Sequence, residues 1–199
     1  MEKYKTPPIT KNPVEHLIAT LAAQGLFSSA DNDFELWNAL KVNGVNLDLV
    51  TNIAGPIVRT VVTFLPDGLY ENDSFGEIAL AMAVHDEDAE TVIDLVAWST
   101  RDISTFGTLF GTSILGLDSL LNPASYSNGP CCLYSNPQAW LQADCAGSVV
   151  LDHTKAKSTL LATPGPLTTD TLDLAEFLVH TGSIPASRLF VPSSWRAAA

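Results

Sequence analysis

The sequence predicts an α+β fold of irregular α/β type, a small antiparallel meander beside a βαβα segment with helices at both ends. Three observations carry that prediction. Residues 78–98, IALAMAVHDEDAETVIDLVAW, are two apolar runs joined by the acidic turn HDEDAE, the pattern of a hairpin. Residues 131–163 read as strand, capped helix, strand and helix with little slack between them. Asn12-Pro13 and Thr169-Asp170 stand where helix N-caps belong, each ahead of an amphipathic run.

In chain order, residues 1–12 form a lysine- and proline-bearing arm. A helix follows from Pro13 to about Gln24, with Leu17, Ile18 and Leu21 on its apolar face and Gly25 as its stop. The polar break SSADND leads to a short helix from Phe34 to Val42, in which Trp37 is an apolar anchor. The chain reads as one domain over 1–199, with 1–44 as a separable helical extension. A β-branched run from Ile57 to Phe64 ends at Pro66-Asp67-Gly68, a turn signal. The hairpin comes next, then a short helix over TFGTLFG and an irregular stretch from Thr112 to Pro130. Cys131–Tyr134 is a strand, and Ser135 or Asn136 caps a helix opened by Pro137. Val149–Leu151 is a buried strand, and Thr154 caps a helix over 155–162. PGPLTTD reads as a turn before the last helix, which runs to Val179 and stops at Gly182. Leu189, Phe190 and Val191 in the tail are expected to pack.

Charge is the most informative bulk property. The net charge is −12, and residues 60–154 hold 13 acidic side chains against one base, Arg101. The two flanks hold nine of each, so the whole excess lies in the middle of the chain. Such a surface repels phosphate backbones, and no direct nucleic-acid partner is expected. A cationic protein partner fits it. No apolar run reaches the roughly 20 residues a spanning helix needs, so no membrane role is expected. With no secretory signal read and an odd count of three cysteines, two of them adjacent, the expectation is a cytoplasmic protein with reduced thiols.

Candidate chemistry concentrates at three places. The first is the acidic turn, where Asp86 and Asp88 form an Asp-x-Asp after an apolar strand, a pair of hard oxygen donors suited to Mg²⁺. Those few residues resemble the acidic strand-end motif of Toprim nucleotidyl-transfer domains. The glutamate–glycine motif of such domains has no placed counterpart upstream, and the run after the turn reads as a return strand. The same residues also read as an ordinary hairpin loop.

The second place is Asp152-His153, at the end of the strand before the 155–162 helix. Ligand sites of α/β sheets lie at strand carboxyl ends, and an Asp-His pair there has the makings of a base with its orienting acid. The competing role of Asp152 is structural, beside a helix cap. The third is Cys131, Cys132, Cys145 and His153 as zinc ligands, which lack any C-x₂-C spacing and read more simply as small apolar residues. No phosphate-loop, dinucleotide-binding or nucleophile-elbow motif occurs, and no cofactor is expected. TVIDLVAW and AWLQADCAGSVVLD resemble segments of bacterial proteins and imply no activity.

The expected function is therefore a non-enzymatic interaction or accessory module with an acidic central face. The alternative is a small hydrolase or metal-dependent enzyme sited at Asp152 and His153 or at Asp86 and Asp88.

Overall fold

The computed structural model describes residues 28–29, 38 and 40–190. The arm, the Pro13–Gln24 helix, Phe34 and Trp37, and the tail from Val191 onward lie outside the described residues. Asn38 and Leu40–Val42 are helical, as the sequence predicts for the end of that segment.

Two sheets organise the rest. The first contains β1 (Ser28–Ser29), β2 (Val58–Phe64), β3 (Tyr70–Asn72), β4 (Glu77–His85), β5 (Val92–Ser99) and β6 (Phe106–Thr108). Its order is β1-β2-β4-β5-β6 with β3 also on β2, and every pairing is antiparallel. A bridge between Leu69 and Thr108 draws the two margins together, curling the sheet into a half-barrel. Strand alternation gives the sheet two differently filled faces. Ala79 and Ala81 of β4 and Ala97 of β5 face the concave side with Val62, Tyr70 and Leu95, and their small side chains let the strands close up. Leu80, Met82 and Val84 of β4 and Val96 and Trp98 of β5 face the other way, into a second core.

That second core joins the half-barrel to a mixed sheet of order β10-β8-β9-β7: β7 (Ile114–Leu115), β8 (Cys131–Tyr134), β9 (Ser148–Val150) and β10 (Leu167–Thr169). β8 pairs in parallel with both β9 and β10. Helix α1 (Leu47–Ala54) packs Leu47, Val50 and Ala54 into the shared core. Helix α2 (Leu117–Leu121) follows β7. Helix α3 (Pro137–Gln142) puts Trp140 and Leu141 into the shared core with Val149. Helices α4 (His153–Ala162) and α5 (Leu172–His180) lie on the opposite face, where Ala156, Leu160, Leu174 and Leu178 meet Leu133 and Val150. The crossovers after β8 and β9 thus run on opposite faces of the sheet, which opens a crevice at the carboxyl ends of the parallel strands.

The α+β architecture agrees with the sequence, and the local differences have physical causes. TFGTLFG is predicted helical but supplies β6, because the open edge of β5 needs a partner and Gly107 alone fits there. A Cβ on Gly107 would stand 2.9 Å from the Leu69 carbonyl. PGPLTTD is predicted as a turn but contains β10, whose ladder exists only once β8 lies beside it. Helix α1 goes unread in LDLVTNIA, a segment with few turns to show a period. Asn46 caps it and burial completes it. The 155–162 helix starts earlier, with Asp152 rather than Thr154 as N-cap, and Thr171 rather than Thr169 or Asp170 caps α5.

Candidate functional site

A cleft of about 480 Å³ opens between the half-barrel and the carboxyl edge of the mixed sheet. Its walls are the β2–β3 turn at Asp67, the chain after β6 at Gly111 and Thr112, the β9–α4 junction at Asp152, His153 and Lys155, and Phe177 of α5. The two residues singled out for catalysis therefore stand in a concave site.

Asp152 is extended, and its Oδ1 accepts from the backbone N–H groups of Thr154 at 2.9 Å and Lys155 at 3.1 Å. Its Oδ2 lies 3.2 Å from the Lys155 ammonium, which also donates to the Gly111 carbonyl at 3.2 Å. Partial burial works against ionisation of Asp152, yet the N–H donors and the ammonium outweigh it and hold the carboxyl below its ordinary value. His153 opens α4 and tilts its ring against Phe177, with centroids 4.4 Å apart. Burial pushes the imidazole below 6.5, and the Asp152 charge only partly offsets this, so His153 is neutral at neutral pH.

The pair does not form a dyad. Asp152 spends its oxygens on the helix cap and on Lys155, while His153 Nδ1 is buried with no hydrogen-bond partner among the described residues. A buried orphan N–H is costlier than a buried orphan lone pair, which assigns the proton to Nε2. His153 thus offers a hydrogen-bond donor in this arrangement rather than a base oriented by Asp152.

A residue outside the predicted site shapes the cleft. Asp94 is fully buried in β5. Its Oδ1 accepts from the N–H groups of Leu95, Leu109 and Phe110 at 2.7, 3.1 and 2.9 Å, and its Oδ2 from Thr112 at 2.8 Å. Burying a carboxylate is tolerated only with such saturation. The result pins the segment that leads from the half-barrel into the cleft wall and on to β7. The sequence carries one sign of it, an aspartate inside the apolar run VIDLVAW, but three of its four donors lie 15 to 18 positions away. Burial, and then the charge of Asp94, raises the phenol of buried Tyr70, whose hydroxyl has no hydrogen-bond partner among the described residues.

The acidic turn lies away from these lining residues, in the β4–β5 hairpin. Asp86 accepts from Glu87 N–H at 2.8 Å. Asp88 accepts from the N–H groups of Glu90 and Thr91 and, at 2.7 Å, from the Thr91 hydroxyl. These bonds, the hydroxyl foremost, hold Asp88 below its ordinary range. The strand that follows is β5, so the strand-to-helix setting of a Toprim motif is replaced by a hairpin.

The three cysteines are free thiols. Desolvation raises all three, Cys131 to about 11 and Cys145 to about 12, which keeps them protonated and weakly nucleophilic. Among the described residues, no group of three or more His, Cys, Asp or Glu side chains is placed to hold a metal ion. No helix among them is long and apolar enough to cross a membrane.

Comparison with known proteins gives no match to any family model, curated protein or solved structure.

Proposed function

We propose that this chain is a non-enzymatic interaction module whose acidic half-barrel meets a cationic protein partner. One observation carries the reading: the turns of the half-barrel bear exposed carboxylates, Asp67, Glu87, Asp88, Glu90 and Asp102 among them. Asp73, Asp88 and Asp102 all sit below the ordinary range, led by the Phe75 N–H, the Thr91 hydroxyl and the Ser104 hydroxyl respectively. Residues 58–108 of the half-barrel hold ten acids against two bases, Arg59 and Arg101, so little offsets this charge locally. Such a field steers cationic surfaces and repels nucleic acid. The setting we assign is the cytoplasm, a reducing compartment in keeping with three free thiols. The test is fluorescence anisotropy with labelled oligolysine and oligoglutamate at about 50 and about 300 mM salt. Saturable, salt-sensitive binding of oligolysine alone is expected, and equal or absent binding of the two peptides rejects the reading.

The cleft favours a second reading, a small polar ligand or substrate held between Asp67 and the Asp152-Lys155 pair, with His153 Nε2–H as donor. A panel of fluorogenic esters tests its enzymatic form. Turnover lost in His153→Gln supports a hydrolase, and turnover unchanged in that variant removes it.

A further inference from the structure

Two Asn-Gly pairs lie among the described residues, Asn43-Gly44 and Asn128-Gly129, and both asparagines are exposed. Asparagine is chemically labile, and a following glycine exposes its side chain most, because no Cβ hinders the approach of the glycine nitrogen. Along the sequence the two pairs have the same chemistry. Their hydrogen bonds separate them.

Asn43-Gly44 closes the helical turn that ends at Val42. Its peptide unit is held at both ends. Gln142 Nε2 donates to the Asn43 carbonyl at 2.8 Å, and the Gly44 N–H donates to the Lys41 carbonyl at 2.9 Å. Val45, the next residue, is buried, and its N–H donates to the Leu40 carbonyl at 3.1 Å. Rotating this peptide therefore breaks a local turn and a link to α3 together.

Asn128-Gly129 lies in the turn between the short 3₁₀ helix Pro123–Tyr126 and β8. The Gly129 N–H donates to the Tyr126 carbonyl at 3.3 Å, while the carbonyl and side chain of Asn128 have no hydrogen-bond partner among the described residues. Gly129 stands at φ 141°, a conformation that suits glycine, and a Cβ there would meet nothing within 4 Å. The flanks are firm. The Tyr126 hydroxyl donates to the Leu120 carbonyl at 2.6 Å, and the Cys131 N–H to the Pro166 carbonyl at 3.1 Å. The turn between them has room to rearrange without unseating β8.

We propose that Asn128 is a site of spontaneous succinimide formation, and that the folded chain converts there ahead of Asn43 because the Asn43-Gly44 peptide is held at both ends. The Gly129 nitrogen bonds to Cγ of Asn128, and the side-chain nitrogen leaves as ammonia with the proton that the glycine nitrogen gives up. Water then opens the cyclic imide. Cleavage of the Cγ–N bond gives aspartate, and cleavage of the backbone C–N bond gives isoaspartate. Either product puts a carboxylate where a neutral amide stood, and isoaspartate also lengthens the backbone by a methylene, which the open turn accommodates.

The test is a time course on the full chain at mildly alkaline pH, folded and in urea. Mass spectrometry of the two peptides resolves asparagine, aspartate and isoaspartate. In the folded chain Asn128 is expected to convert about tenfold or more faster than Asn43, since the bonds on the Asn43-Gly44 peptide add to its barrier. In urea the two rates are expected to converge. Gln142→Ala, which frees the Asn43 carbonyl, is expected to speed conversion at Asn43 and leave Asn128 unchanged. Equal rates in the folded chain, or Asn43 ahead, overturn the proposal. So does an Asn128 that stays intact in the folded chain while it converts in urea. A gap that persists in urea assigns the order to sequence neighbours and overturns it too, as does a Gln142→Ala variant that speeds both sites alike or neither.

Discussion

The half-barrel and the mixed sheet satisfy their polar groups over different distances along the chain. In the half-barrel, the turn aspartates bond mostly to residues two or three positions away, Asp67 to Leu69, Asp73 to Phe75, Asp88 to Thr91 and Asp102 to Thr105, with the Thr63 hydroxyl reaching Asp73 across ten. In the mixed sheet the corresponding bonds span the chain. Asp170 accepts from the backbone and hydroxyl of Ser135, 35 positions away, and Lys155 reaches Gly111, 44 away. Arg188 donates to the carbonyls of Leu161, Thr163 and Gly165 at the end of α4. A hairpin turn can saturate its own backbone, so its acidic residues are accounted for by the turn. A crossover sheet assembles its edge from distant segments and leaves concave gaps where they meet. The cleft borders the mixed sheet.

The largest expected effect breaks this contrast where Asp94 links the two regions. Asp94→Ala removes a buried acceptor of four N–H groups, of which only that of Leu109 keeps another partner shown here, the Leu95 carbonyl, and is expected to cost about 3 kcal/mol, read as a lowered urea midpoint. It should also raise amide exchange across residues 109–112. Loss of stability without faster exchange there means the segment is pinned by packing instead.

Removing the long-range clasp is next. Arg188→Ala should cost about 1.5–3 kcal/mol, since a charged donor to several α4-end carbonyls is lost. Asp88→Ala removes only local turn bonds and should cost about 1 kcal/mol or less. If the two are equal in urea titrations, the distinction between local and distant bonds has no energetic weight.

The pH dependence sharpens the comparison further. His153 titrates below 6.5 in the fold because of burial, so as pH falls the unfolded chain takes up its proton first. Its contribution is complete above about 6.5 and is lost as pH drops through that value toward the folded one. Melting temperature measured from pH 7 to pH 5 should therefore fall less in His153→Gln than in the parent. The turn carboxylates of Asp73, Asp88 and Asp102 act in a separate window, stabilising above about 3.8 and failing only below it.

The smallest effect is expected for Asp152→Asn. Asparagine caps a helix as well as aspartate, and the Lys155 pair is partly solvated, so stability should change by about 0.5 kcal/mol or less. A change several times larger in thermal melts gives the carboxylate a role beyond the cap.

The amino-acid sequence by itself determined what is written within a few residues. The hairpin of β4 and β5 follows from two apolar runs joined by the acidic turn HDEDAE, and the Asn136-Pro137 start of α3 from cap chemistry. The α+β class and the charge excess over 60–154 belong to the same local record. Only the tertiary structure decided that FGT and LTT become strands, because three residues with no turn of their own are extended only when a neighbour offers a ladder. It also decided that Asp152 and His153 share a cleft without bonding to each other, and that Asp94 is the buried acid among the described residues. Where a carboxylate's donors lie is set by which segments the core brings together, and a linear sequence records those distances only for residues that are neighbours along it.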